Sequence, residues 1–379
     1  MRLTMIVLSM AVTISALTQA EEPAYELRGV WLNPYAFNDE NRAETLNKIV
    51  SANLNTIFIA ASPPVNGSHG HLDPEDYAET IRSAKSLGLS VHGWICCQRR
   101  LGKARTVDFT NPEEQEAQKQ WALDLLAKYP DLDGIHLDYI RYYKWSKCDA
   151  AKMEGLESTI RRTYDAIKRR HPDKFLTVTS FIAASANYHG SSKGRRLEWT
   201  GDVPQWFRNW YSTNPENWYA VQHRSSKQVR REWLLGPVHF NFQQDPVSWI
   251  QEGIVDSVMS MQYSSSQWRW RNEVNLWKSF LSSDLDKVCI GLGWLVEEGH
   301  REWKYDPAAL VKHIKYGRSQ GVKGFVIFQL TSPQLPRGVD DWELVRALSV
   351  DSEINDGDAP FEKPAPSPLS RGDIIEAGR

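Results

Sequence analysis

Eight short β-rich segments, separated by helix-length amphipathic stretches, predict an α/β protein built as a closed (β/α)8 barrel, the TIM-barrel architecture. Three observations carry this expectation. Strand and helix patterns alternate along residues 26–350, and consecutive strands joined by helices pair in parallel. Within the segments, apolar residues keep a two-residue period, so one face meets the helices and the other the barrel interior. At the segment ends, where such barrels carry their sites, polar and aromatic residues gather.

The segments are ELRGVWLN (26–33), NTIFIAA (55–61), LSVHGWICC (89–97), LDGIHLDYI (132–140), FLTVTSFIAA (175–184), VDSVMSMQY (255–263), KVCIGLGWL (287–295) and GFVIFQL (324–330). Helices are expected over 41–52, 74–87, 111–128, 152–170, 244–253, 268–282, 306–319 and 340–349. Two have explicit start signals, Asp73 before Pro74 and Asn111 before Pro112, the second followed by acids that suit a helix N-terminus. Between the fifth segment and its returning helix lies a long insertion, about residues 185–243, with Trp199, Trp206, Trp210, Trp218 and Trp233 and little periodicity. Insertions of this length inside a barrel are usually functional.

The chain has 379 residues and a net charge of −2, with no basic stripe and no phosphate-cradling glycine loop, so no nucleic-acid partner is expected. Residues 1–20 read as a signal peptide: Arg2, a short apolar run and small residues up to Ala20, too short for a membrane span. The mature domain is then 21–350, extracytoplasmic and without a membrane span, and the Pro-rich acidic stretch 351–379 is expected to be disordered. Of four cysteines, either Cys96 or Cys97 is a candidate to pair with Cys148. Sixteen tryptophans offer flat apolar faces with a polar edge; most are expected in the core, the rest as platforms for sugar rings.

The fourth segment poses the central question. Ile135 and Leu137 face the helices, so Gly134, His136 and Asp138 face inward, and Asp138 reaches the mouth close to the segment's end. Burying a carboxylate is costly unless something compensates. The same parity sends Asn33, Trp94, Arg141, Gln262, Tyr263 and Gln329 to that end of the barrel. Polar groups beside aromatic platforms in one bowl describe a polysaccharide or oligosaccharide site, with Asn33, Trp94, His136, Arg141, Gln262, Tyr263, Trp294 and Gln329 as binding residues. No cofactor and no metal enters this expectation. His69, His71 and Asp73 lie in a loop rather than on the first segment, unlike the histidine pair of metal-dependent hydrolase barrels.

The strings RGVWLNP, VHGWI, DFTNPEEQ, DGIHLDYIRY, WIQEGIVDSVMSMQY and GVKGFVIFQL resemble the glycosyl-hydrolase-like family ten, secreted bacterial barrels, from about Glu26 to Leu348. The resemblance implies a glycoside hydrolase, with Asp138 as the fourth-strand acid. Most such enzymes use two carboxylates flanking the scissile bond. Glu198, in RRLEWTGD of the insertion, and Glu298, after GLGWLV, stand as alternatives for the second, each near a tryptophan (Trp199, Trp294) able to raise a carboxyl's pKa. A more distant likeness is to family 18 chitinases, whose fourth strand reads DxxDxDxE. Asp133, His136 and Asp138 align with its three aspartates, but Ile140 stands where the proton-donating Glu belongs. That departure keeps a second expectation open, a glycan-binding barrel without catalysis.

Overall fold

Every one of the eight β-rich segments forms a strand, and the strands close on themselves. The computed structural model describes residues 25–32, 41–61, 73–97, 107–142, 150–181, 243–263, 267–293, 295–296, 303–304 and 307–330. Its strands are β1 (Leu27–Leu32), β2 (Thr56–Ala60), β3 (Ser90–Cys96), β4 (Gly134–Asp138), β5 (Phe175–Ser180), β6 (Ser257–Met261), β7 (Val288–Gly293), β8 (Leu295–Val296), β9 (Trp303–Lys304) and β10 (Gly324–Leu330). All pairings around the barrel are parallel, β1 meeting both β2 and β10, so no edge is left open. The helices are α1 (Arg42–Ser51), α2 (Pro74–Ser86), α3 (Pro112–Lys128), α4 (Ala150–Arg170), α5 (Pro246–Gln251), α6 (Gln267–Leu281) and α7 (Pro307–Gln320). The long insertion, the segments 1–20 and 351–379, the helix expected at 340–349 and Cys148 lie outside the described residues.

Local chemistry explains where the helices begin. Asp73 accepts the Asp76 N–H at 2.9 Å, Asn111 accepts that of Glu113 at 2.8 Å, and Asp245 accepts that of Ser248 at 3.2 Å. A proline follows each cap, with its ring already at the helical φ and no N–H to leave unmet.

The two faces of each strand separate as the period demands. Val30, Leu32, Ile57, Ile59, Val91, Ile95, Ile135, Leu137, Leu176, Val178, Val258, Ile290, Leu292 and Ile327 join one core between barrel and helices. Leu27, Trp31, Phe58, Trp94, Phe175, Met259, Cys289 and Val326 fill the interior. Full burial of each large apolar side chain is worth about 1.5–3 kcal/mol, so both layers stabilise closure. Two details depart from the expected elements. The seventh segment does not run unbroken to 295: β7 ends at Gly293, and Leu295–Val296 pairs antiparallel with Trp303–Lys304 in a separate ribbon. β6 ends at Met261, where the Gln262 N–H turns back to the Ser260 carbonyl at 3.0 Å.

Midway down the barrel lies an aromatic plug. Phe58 packs against His136 at 4.7 Å and His92 at 5.2 Å, and Trp31 against Phe58 at 5.8 Å and Phe328 at 5.7 Å. Trp31 Nε1 donates to His136 Nε2 at 2.9 Å, so that nitrogen carries no proton. Nδ1 therefore holds the ring's hydrogen and donates it to Thr177 Oγ1 at 2.8 Å. His136 is neutral, and burial holds its pKa well below the usual histidine value. Burial likewise lowers His92 to about 4, and His313, on α7, to about 3.

Neutral buried histidines make folding depend on pH. Below about pH 6.5 the unfolded chain takes up protons that these folded imidazoles refuse, so the stability fully present above that value falls as the solution is acidified. Urea-denaturation midpoints at pH 7.5, 5.5 and 4.5 are expected to decline progressively, with up to one proton taken up on unfolding per buried histidine.

Candidate active site

Asp138 is the last residue of β4, and its register partner across the sheet is Cys96 at the end of β3. Its side chain is 4% exposed. Three donors meet it: Trp94 Nε1 reaches Oδ2 at 3.1 Å, while the Tyr139 N–H and Thr179 Oγ1 reach Oδ1 at 2.7 and 2.5 Å. These contacts supply what burial removes. An ionised carboxylate only accepts and satisfies all three donors, whereas a protonated one would add a fourth hydrogen to place.

The chain after Asp138 is held in an uncommon conformation. Tyr139 has φ 53°, in the left-handed region where a non-glycine residue costs roughly 1–2 kcal/mol. This twist turns the Tyr139 N–H back onto Asp138 and swings the chain so that Arg141 N–H donates to the Tyr139 carbonyl at 2.8 Å. The Arg141 guanidinium then lies 4.3 Å from the Tyr139 ring and 4.7 Å from that of Phe181, with Nη1 donating to Met261 Sδ at 3.7 Å. Ile140, between them, is fully buried in the outer core.

Tyr263 reaches the same group from β6. Its ring stacks on Phe328 at 5.2 Å and 20°. It also lies over β7, where side chains are missing: a Cβ built on Gly293 would stand 2.5 Å from the ring, and one on Gly291 3.2 Å. Burial pushes its phenol well above the ordinary tyrosine range; the Asp138 carboxylate and Tyr139 act in the same direction and Arg141 opposes them. Tyr263, Asp138, Tyr139 and Arg141 therefore form one electrostatic neighbourhood at the strand ends. Gln262 is 1% exposed, and among the described residues neither its Oε1 nor its Nε2 has a hydrogen-bond partner.

Of the expected site residues, His136 and Trp94 are buried. His136 is fully buried in the aromatic plug with both ring nitrogens engaged, because the interior at that level is filled with rings rather than open. Trp94 is 4% exposed and directs its N–H at Asp138 instead of presenting a bare face. Asp133 lies at the opposite end of β4, 2% exposed, accepting Lys85 Nζ on both oxygens at 2.8 Å and the Val91 N–H at 2.8 Å. That end of a barrel serves stability. Cys97 is a buried free thiol whose N–H donates to the Asp138 carbonyl at 2.8 Å; burial raises its pKa. Gln329 lies on β10 by its backbone, and its side chain, like Asn33, Glu198, Trp294 and Glu298, is outside the described residues. Among the described residues no group of three or more His, Cys, Asp or Glu is placed to hold a metal ion.

Two residues escaped the sequence analysis. Thr179 was only one polar position on the inner face of β5. Gln244 is fully buried and binds the ends of both β4 and β5 (below). The helix expected at 244–253 includes Gln244, but nothing local pointed to its partners.

No family model matches the chain, and no curated protein matches it by sequence. Solved structures share its architecture. The spore cortex-lytic enzyme SleL of Bacillus cereus is 12% identical with a TM-score of 0.51, covering 86% of this chain and 75% of that one. The hyperthermostable endo-1,4-β-D-mannanase of Thermotoga petrophila is 12% identical with a TM-score of 0.52, covering 84% and 92%. The endo-1,4-β-mannanase of Rhizomucor miehei is 12% identical with a TM-score of 0.50, covering 82% and 88%. At these identities the likeness is one of fold.

Gln262 offers a direct check of the site's energetics. A buried amide without partners costs about 1–3 kcal/mol, so Gln262→Leu is expected to raise unfolding stability by about 1 kcal/mol, measured by urea denaturation.

Proposed function

We propose that the chain is a secreted glycoside hydrolase of the glycosyl-hydrolase-like family ten type, cleaving glycosidic bonds of a polysaccharide or oligosaccharide. The observation that carries the proposal is Asp138: an inward carboxylate at the C-terminal end of a barrel strand, met by three donors and flanked by Arg141 and Tyr263. The solved structures sharing the fold are named as glycan-cleaving enzymes, which favours this chemistry without assigning a substrate.

In this mechanism Asp138 acts ionised, as nucleophile or as stabiliser of the oxocarbenium-like transition state, since its three donors suit the acceptor form. Proton donation to the leaving oxygen falls to a second carboxyl, Glu298 or Glu198. Arg141, braced between two rings, positions substrate; a guanidinium keeps its proton and is not the acid. Tyr263, with its phenol held protonated by burial, donates a hydrogen bond to a sugar oxygen, and the Gln262 amide, without a partner among the described residues, takes a sugar hydroxyl. Asn33, Trp294 and Gln329 complete the proposed substrate contacts, while Trp94 holds the Asp138 carboxylate through its indole N–H. His136 serves beneath them, as part of the floor. Residues 1–20 direct export in this proposal. No helix among the described residues is long and apolar enough to cross a membrane.

A second reading, a glycan-binding barrel without catalysis, has one observation in its favour. Ile140 occupies the position of the chitinase proton donor and is fully buried among apolar side chains, so the family 18 acid step has no donor there.

Asp138→Asn separates the two. On a responsive glycan the hydrolase reading expects roughly a 1,000-fold or greater loss of kcat in a protein that still folds, its urea midpoint lowered because the new amide NH2 opposes the Trp94 N–H. Turnover unaffected by the substitution sinks the mechanism. Glycan binding without product release, equal in both proteins, supports the binding module instead.

A further inference from the structure

Gln244 is the first residue but one after the undescribed stretch 182–242, and its amide is spent entirely on other strands. Nε2 donates to the Ile140 carbonyl at 3.0 Å and to the Thr179 carbonyl at 3.2 Å. Oε1 accepts the Ser180 hydroxyl at 3.3 Å and the Phe181 N–H at 3.4 Å. The partners are 104, 65, 64 and 63 residues away in sequence. Each adjoins a group of the site. Ile140 lies between Asp138 and Arg141, Thr179 donates its hydroxyl to Asp138, and Phe181 supports the Arg141 guanidinium.

The backbone around this amide is strained on both sides. Tyr139, next to Asp138, and Gln243, next to Gln244, have φ of 53° and 54°. Non-glycine residues persist in that region only where their surroundings over-determine them, and such residues cluster at functional sites. β4 and β5 no longer exchange ladder hydrogen bonds beyond their registered residues, which end at Leu137 and Val178. The Gln244 amide continues the stitching from there, through the residues that carry the site.

We infer that Gln244 is a positioning residue: its side-chain amide fixes the ends of β4 and β5 against each other and so sets the geometry of Asp138 and Arg141. The structural part stands on these contacts alone; its catalytic consequence rests on the hydrolase reading.

The test uses the full mature chain and two near-isosteric variants. Gln244→Met removes both donors and the acceptor. Gln244→Glu keeps an acceptor but turns an oxygen toward two carbonyls, and on protonation regains one donor. The first readout is the set of tryptophan indole N–H resonances, assigned by Trp→Phe substitution. The indole of Trp94 donates to Asp138, that of Trp31 to His136 and that of Trp277 to Ser260. In both variants the Trp94 signal is expected to move at neutral pH while those of Trp31 and Trp277 stay, and in Gln244→Glu it should return toward the wild-type position as the pH is lowered to 5.5. A generally loosened barrel would move all three and show no such return. Where a glycan substrate is in hand, kcat should fall roughly tenfold or more through Asp138, with a smaller rise in KM through Arg141.

A stationary Trp94 signal in a folded variant overturns the inference. Should Gln244→Met not fold, the acid-induced return in Gln244→Glu decides, and its absence overturns the inference equally. Full activity of Asp138→Asn would instead overturn the hydrolase reading and leave the positioning role intact.

Discussion

A carboxylate 4% exposed at the end of a buried strand has to be met by donors, and much of the upper barrel is arranged to supply them to Asp138. Trp94 comes from β3, Thr179 from β5 and the Tyr139 N–H from the same chain bent into the left-handed region. Below, the plug of Trp31, Phe58, His92 and His136 fills the interior, so the polar group stands on a packed floor rather than over an open channel. The site is thereby concentrated at one rim, where strand ends and connecting segments meet.

The plug holds two inward histidines of neighbouring strands, His92 and His136, buried among rings. Hydrogen bonds from Trp31 and to Thr177 set the tautomer of His136 and leave it with no free lone pair. A histidine on an inward face reads from sequence as a site residue; the decisive fact is its level in the barrel, since two residues along a strand separate a filled layer from the mouth.

Much of the architecture was legible. The period of two separated Val30, Ile135 and Leu137 from Trp31 and Asp138, and Asp73-Pro74 and Asn111-Pro112 began the helices they announced. What escaped depends on contacts that no local pattern encodes. Gln244 meets Ile140 across 104 residues, and Thr179 meets Asp138 across 41. The break after Gly293 was hidden too, because apolar alternation continues through it while the chain leaves one sheet for another. The fold-level likeness to the two mannanases at 12% identity agrees with this division: layers and strand parity survive wide sequence change, while the site must be argued from individual side chains.

The seating of Tyr263 over β7 has an implication for how this bowl could be reshaped. The ring occupies room that a side chain at 293 would fill and one at 291 would crowd. Width on that flank is therefore a joint property of three positions. A methyl group added at 293 evicts the ring, and a smaller residue at 263 opens a trough along the strand. A relative of this barrel that accepts a bulkier ligand there would have to exchange the aromatic and the glycines together, as a single block of inheritance.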